Sequence, residues 1–412
     1  MKPNTLKIAY LAPELPSLST TFVYNEILEL EKLGTKVIPF SVHRPKNEIA
    51  DPIIKALKKR VTILYEYSKC SVLTSHLHFL RRSPQRYFTT VFMLMKDIIK
   101  LVRTPRVAMG LVFRFCYAAK LADDLVRHRC QHIHVHFAHV PTDIAMYAAK
   151  LAGIGFSVTS HANDLFERGW LLPQKAQRSV FFGTISEFNR QYLEQKGVDV
   201  NNVEILRCGV DTTQFRTRVS KPLSRPVKVG VVGRLVEKKG IDTLIDSIAV
   251  LKQQGVDITL VIAGSGPLEC ELKVLVDELG LADDCVVFLG PLAHADVLDF
   301  ITQLDIFVLP CKQDSNGDMD GIPVVLMEAM LAGVPVISTK VSGIPELVVD
   351  NESGLIVNSN DKDALANAVE ILIDDDKLRD RLAAGAVLKV TTTFSLFENA
   401  TKLNDLFYVC CE

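Results

Sequence analysis

Residues 316–348 read NGDMDGIPVVLMEAMLAGVPVISTKVSGIPELV. A Ser/Asp-rich loop runs into Pro323 and then an apolar helical pattern, which is a helix N-terminus signal. The spacing puts Glu328 about one and a half turns inside the helix, with Asp320 in the loop just ahead of it. Free N–H groups and the helix macrodipole make such a terminus a site for an anion such as a phosphate. Pro323 has no N–H, so Gly321, Ile322 and Val324 are the better donors. Carboxylates at Asp320 and Glu328 suit sugar hydroxyls, each of which can donate to them. A phosphate beside hydroxyls describes a nucleotide sugar. The plainer reading is that both acids cap and solvate a helix start, since acids are enriched in first turns.

Working outward, short Val/Ile-rich runs alternate with helical patterns, the signature of parallel α/β sheets. In the second half the expected strands are 227–232, 258–263, 285–289, 306–309, 334–338 and 355–357. In the first half they are 6–11, 35–40, 132–137, 156–160 and 180–185, with a helix from Phe22 to Leu33. Residues 216–226, RTRVSKPLSRP, are polar and Pro-containing and read as a linker. Two Rossmann-like domains facing each other across a cleft follow. Their bounds are 1–215, with a basic insert at about 45–130, and 222–392; residues 393–412 form a terminal helix.

The chain has 412 residues, too many for one ordinary core. Its 48% hydrophobic and 23% charged residues are those of a globular protein, which removes the disordered class. Nine cysteines, odd in number and without paired CxxC spacing, fit a reducing compartment. The start MKPNTLKIAYLAPEL reads as a first strand and carries no signal-peptide pattern. Charges interrupt the longest apolar runs, so no membrane span is expected. A net charge of −1 hides an asymmetry: Lys55 to Arg129 holds sixteen Lys/Arg against four Asp/Glu, a balance of +12, and the remainder balances at −13. No nucleic-acid module accompanies the basic insert. An anionic membrane surface is one partner for it and a plain solvated face is the alternative.

Further motifs bear on chemistry. VKVGVVGRLVEKKGIDTLIDS (227–247) places Arg234 and Lys239 after a buried strand, where cations point into a ligand crevice and suit a diphosphate. IAGSGPLE (262–269) has Gly264 and Gly266 but no third glycine at dinucleotide spacing, so it is a tight turn or a ligand-contacting loop. TSHANDLF (159–166) ends a strand with His161 and Asp164. In LPSLSTTFVYNEI (15–27), Ser19, Thr20 and Thr21 are either a small polar loop at a ligand or an N-cap for the helix at Phe22. QHIHVHFAH (131–139) puts three histidines on one strand face, but the run is strand-like and no acid is near in sequence, so a metal is not expected there. Asp318-Met319-Asp320 is a lone DxD, too short to assign a metal either.

These motifs together resemble the family 4 glycosyltransferases of GT-B fold. The acid-x7-acid spacing of Asp320 and Glu328, the wording DMDGIPVVLMEAM with SGIPELV, and GRL-x3-KG carry the likeness, which is nearest to the exopolysaccharide (colanic acid type) members. The resemblance covers most of residues 5–410 and is strongest over 227–348. It implies retaining, metal-independent transfer of a sugar from a nucleotide diphosphate sugar, UDP- or GDP-linked, to a saccharide or lipid-linked saccharide acceptor. The cysteines and the basic insert, whose charges are interleaved with Phe79, Tyr87, Phe88, Phe92 and Phe113, add the expectation of a cytoplasmic protein, peripheral on the inner face of the membrane. No cofactor is expected beyond the nucleotide sugar itself. Carried over by position, Arg234 and Lys239 hold the diphosphate, Glu328 the ribose and Asp320 a sugar hydroxyl. Gly264 and Gly266 lie near the donor, His161 faces the transferred sugar, and Ser19 to Thr21 approach donor and acceptor. The terminal helix returns to the first domain. The chain departs from the family at Asp320, usually Glu, and at Ala162, usually Gly. An epimerase or hydrolase of the same fold, or a silent nucleotide-sugar binding protein, are the alternatives.

Overall fold

Strands buried on both faces need aliphatic side chains throughout, and the short Val/Ile runs supply them. The computed structural model describes residues 6–17, 20–45, 51–214, 222–281 and 285–411. The chain forms two units: Met1–Ile185, Asn189–Arg207 and Phe397–Glu412 make unit 1, and Ser186–Phe188 with Cys208–Leu396 make unit 2.

Unit 1 is built on strands β1 (Lys7–Glu14), β2 (Lys36–His43), β3 (Thr62–Ile63), β4 (His132–His136), β5 (Gly155–Ser160), β6 (Phe182–Thr184) and β7 (Val203–Ile205). They form one parallel sheet in the order β3-β2-β1-β4-β5-β6-β7. The order reverses between β1 and β4, and in open α/β sheets ligands bind at the carboxyl ends of strands at such a reversal. Between β3 and β4 run the helices Lys69–Arg82, Pro84–Lys100 and Pro105–His128. Phe79, Leu94, Leu111 and Phe115 carry them into the core, so the basic insert is part of the packed unit. The helix Leu396–Cys411 packs on the other face of this sheet, with Phe407 fully buried near Phe181, His132 and His134.

Unit 2 repeats the plan with β8 (Val227–Val232), β9 (Ile258–Ala263), β10 (Val286–Gly290), β11 (Ile306–Leu309), β12 (Val336–Thr339) and β13 (Leu355–Val357). The order β10-β9-β8-β11-β12-β13 is again parallel and reverses between β8 and β11. The loops leaving β8 and β11 are thereby made neighbours.

Three expectations need correction. The edge strands β3 and β7, two and three residues long, have no counterpart among the expected strands because so short a run has no periodicity. The helix expected at Phe22 begins at Thr21. Residues 208–214 go with unit 2 and not with the first domain, since Val210 N–H donates to Phe394 O and Leu396 N–H to Val210 O, both at 2.9 Å. Of the expected linker, residues 215–221 lie outside the described residues.

Candidate functional site

In unit 2 the turn after β8 and the loop after β11 are tied together by charge. Lys239 Nζ lies 2.6 Å from Asp320 Oδ2, and Lys238 Nζ lies 3.3 Å from Asp320 Oδ1 and 2.8 Å from Asp318 Oδ2. Two backbone-level ties hold the same loops in register. Lys312 N–H donates to Lys238 O at 2.9 Å, and Glu237 Oε2 accepts from Ser315 N–H and Oγ at 3.1 and 2.9 Å. Asp320 is therefore not a solvated cap; its side chain is 14% exposed and both oxygens are engaged. Desolvation pushes its carboxyl up, but Lys239 and Lys238 outweigh it and hold the pKa below the usual carboxylate range. Lys239 pays the same desolvation and is held above its usual value by Asp320. Lys238 thus bridges the two acids of the Asp-Met-Asp triplet.

The helix that follows starts at Val324, with Pro323 in the N-cap position. Among the described residues the N–H groups of Gly321, Ile322 and Val324 donate to no protein acceptor, which leaves them available to an anion. Glu328 stands one turn into the helix, half-buried, and burial pushes its carboxyl up to about 7. Arg234 is exposed in the turn after β8. Gly264 and Gly266 serve close backbone approach: Gly264 has φ +150°, and a Cβ there would meet Gly233 O at 1.8 Å, while one on Gly266 would meet Leu235 O at 2.3 Å. Leu235 N–H donates to Ser265 O at 3.0 Å, so this loop braces the turn that carries Arg234 and Lys239.

In unit 1 the candidate is His161, at the end of β5. It is buried between Phe22 and Phe137, with ring centroids at 4.7 and 4.5 Å. Asp164 accepts from the backbone N–H of His161 at 2.8 Å and from that of Ala138, which fixes the turn. Ala162 sits at φ −74°, ψ −59°, ordinary right-handed geometry, so the turn has no need of the glycine usual in the family. His161 Nε2 lies 3.0 Å from His136 Nδ1, and His136 Nε2 lies 2.9 Å from Glu26 Oε1 and 3.1 Å from Tyr10 Oη. Tyr10 also donates to Glu26. Glu26 accepts from Tyr10 O–H and from His136 Nε2–H; a neutral His136 then accepts at Nδ1 from His161 Nε2–H, a tautomer assigned from the network and not observed.

Thr20 occupies the N-cap position of the helix Thr21–Lys32 but makes no side-chain cap bond, so the capping reading fails for it. Ser19 lies outside the described residues.

A family pattern described as "Glycosyl transferases group 1" matches residues 214–387. WcaL of Escherichia coli, named for colanic acid biosynthesis, is 39% identical over 244 residues, 56% of this chain and 60% of its own. A Mycobacterium tuberculosis protein, named GDP-mannose-dependent alpha-(1-6)-phosphatidylinositol monomannoside mannosyltransferase, is 33% identical over 267 residues, 60% of this chain and 68% of its own. The chain belongs to the group 1 glycosyl transferases.

The crystal structure of Anabaena HepE in complex with UDP superposes with a TM-score of 0.71, covering 98% of this chain and 100% of that one at 18% identity. That likeness is one of fold, the GT-B fold. The chain spans between half and two thirds of the length of the colanic acid and amylovoran relatives it matches.

Within this glycosyl transferase, sequence reasoning missed Lys238 and the chain of Tyr10, Glu26 and His136 behind His161. The adjacent Lys238-Lys239 pair was a signal for the first, because a second cation in a turn facing two acids needs a partner. For Glu26 there was none, since it reaches His136 from 110 residues away. The fold supplies an acid that the neighbouring sequence lacks: Glu26, His134 and His136 bring ligand atoms within 4.8 Å of one another. Hydrogen bonds already occupy them, with His134 held by Ser157 at 2.8 Å and Thr159 at 3.1 Å.

Proposed function

We propose that this chain transfers a sugar from a nucleotide diphosphate sugar to a lipid-linked saccharide, with retention and without a metal ion, in exopolysaccharide assembly. The observation that carries the reading is the meeting, in unit 2, of the Lys239–Asp320 pair at 2.6 Å with a helix start whose N–H groups are unspent and which bears Glu328. Arg234, Lys239 and the N–H groups of Gly321, Ile322 and Val324 take the diphosphate. Glu328 takes the ribose and Asp320 a hydroxyl of the sugar; His161 is the candidate of unit 1 for a sugar contact. Thr20 and Thr21 meet the acceptor.

The bond from the anomeric carbon to the diphosphate oxygen breaks, and its electron pair stays on the phosphate. The acceptor oxygen bonds to the same face of that carbon, and its proton passes to the departing phosphate. Cationic side chains and helix N–H groups stabilise the charge that grows on the leaving group. Support for the substrate classes comes from relatives: colanic acid and phosphatidylinositol monomannoside stand in two of their names, GDP-mannose stands in one, and HepE is in complex with UDP. Uridine and guanosine donors both fit these relatives. The reaction is placed in the cytoplasm at the inner face of the membrane, where the basic helices of unit 1 meet anionic lipid.

The test is a panel of UDP- and GDP-sugars screened by thermal stabilisation, followed by transfer from the best donor in excess chelator, with the product anomer read by NMR. One donor should stabilise, and transfer should persist with the anomer retained. Loss of transfer in chelator, restored by manganese, removes the metal-independent part. An inverted anomer removes retention.

A further inference from the structure

On the helix Pro84–Lys100, Phe88, Phe92, Met95 and Ile99 are 61, 59, 54 and 68% exposed. Their spacing of four, three and four residues aligns them in one stripe along the helix. Leu94 and Thr90 are buried toward the core, so this helix is apolar on two sides where a surface helix needs only one apolar side. The neighbouring helix Lys69–Arg82 repeats the device with Leu73, Leu77 and Leu80, spaced four and three, and Met109 and Phe113 are exposed at the start of Pro105–His128. The three helices pack against one another. Singly exposed leucines need no explanation, but stripes repeated on adjacent helices do. The aromatic residues of this region divide accordingly: Phe79 is core and Tyr87 is half-buried and bonded to His76, whereas Phe88, Phe92 and Phe113 are exposed.

Charge says what covers these stripes. Arg81, Arg82, Lys96, Lys100, Arg103 and Arg106 are all exposed around them. From Lys69 to Arg114 the sequence holds a single acid, Asp97. It is turned inward, accepting from both terminal nitrogens of Arg178 at 2.7 Å and from Tyr147 at 2.8 Å. Lys96 Nζ lies 4.5 Å over the Phe92 ring, its stem along the stripe and its head at the edge. The partner that fits is apolar within and anionic at its rim. Among the described residues no helix is long and apolar enough to cross a membrane, so these helices lie in the plane of such a surface.

We propose that Pro84–Lys100, with its neighbours Lys69–Arg82 and the start of Pro105–His128, is the face by which this chain embeds in an anionic lipid surface. The apolar stripes enter the acyl boundary and the lysines and arginines rest among headgroup phosphates. This deepens the membrane part of the function proposed above, replacing a contact of charge alone with an inserted one. Salt then weakens binding without abolishing it.

The full chain is sedimented with sucrose-loaded vesicles of phosphatidylcholine alone or mixed with phosphatidylglycerol, at low and high salt. Phe88→Ser/Phe92→Ser/Ile99→Ser and Lys96→Glu/Lys100→Glu/Arg103→Glu are run beside it, with thermal unfolding to show that each is folded. A Phe92→Trp variant is titrated with vesicles carrying brominated acyl chains. Expected are binding that rises with phosphatidylglycerol, a loss of about tenfold or more in partitioning for either triple variant, and bromine quenching of the emission that Phe92→Trp introduces. The proposal is overturned by a wild-type chain that stays in the supernatant, by apolar-triple binding equal to wild type, or by an unquenched tryptophan. It is equally overturned if the wild type ignores vesicles but self-associates and the apolar triple is monomeric, which assigns the face to a second copy. No sugar donor enters the assay, so its failure leaves the transfer reading untouched.

Discussion

The lysine–aspartate cluster of unit 2 and the imidazole chain of unit 1 are both buried polar groups at the reversal of a parallel sheet, yet they offset desolvation by different means. Unit 2 uses full opposite charges, Lys238 and Lys239 against Asp318 and Asp320. Unit 1 uses hydrogen bonds among groups that burial keeps neutral: His132 is pushed down to about 4, and His134 and His161 well below their usual value. A charge pair can exchange partners, so in the function proposed above an arriving diphosphate shares Lys239 with Asp320. An imidazole chain fixes the direction of each proton, which suits orienting one polar contact.

The largest test of that contrast is Asp320→Asn, which keeps the shape and removes the charge. We expect kcat to fall about 100-fold or more, the scale for one preorganised electrostatic group, with donor affinity little changed. Initial rates of nucleotide release measure it. A wild-type rate would reduce Asp320 to an anchor for Lys239 and leave the sugar hydroxyl without its partner. Glu26→Gln comes next, with an expected loss of about tenfold in kcat, as a neutral amide oxygen accepts more weakly than a carboxylate. In 15N spectra the wild-type His161 should carry its proton on Nε2, and the variant should populate the other tautomer. Unmoved His161 signals would break the chain drawn from Glu26 through His136.

The smallest effect concerns pH. Burial raises the Glu328 pKa from its ordinary 4.5 to about 7, so the folded state holds this proton more tightly than the unfolded one. The stability it contributes is full below about pH 4.5 and is lost as pH rises through about 7. Glu328→Gln, uncharged throughout, should therefore gain on the wild type between about pH 5 and about pH 8 by about 1 kcal/mol, after discounting for the solvent that reaches a half-buried carboxyl. Thermal unfolding at the two pH values reads the difference. A gap that does not change with pH would mean an ordinary carboxyl.

The contrast also explains what the sequence disclosed. In unit 2 the strands 227–232, 258–263, 306–309 and 355–357 are legible with their observed bounds, because each is a buried Val/Ile run closed by polar or glycine residues. Arg234, Lys239, Asp320 and Glu328 are legible because each lies in one short motif. What joins the motifs is not: that Asp320 is spent on Lys239 depends on β8 and β11 being neighbours, a fact of strand order. In unit 1 the pattern puts three histidines on one face, but the Tyr10–Glu26–His136 chain unites residues from β1, the first helix and β4, and no local pattern encodes it. Net charge located the basic helices and left hidden which aromatic residues face out. Only packing separates Phe79 from Phe88.

The helix Leu396–Cys411 belongs to unit 1, although the whole of β8 to β13 is made before it. Its Phe407 is completely enclosed near the histidine strand, and its Asn404 accepts from Thr35 Oγ1 at 2.6 Å. During synthesis, which proceeds at about 5–20 residues per second, unit 2 can close as soon as Leu396 has left the ribosome. Unit 1, though begun first, must wait for the last helix with an apolar gap along one face of its sheet. The earlier-born half therefore finishes later. A fragment ending near Arg207 exposes that gap permanently, so it is the one to require a chaperone or to aggregate.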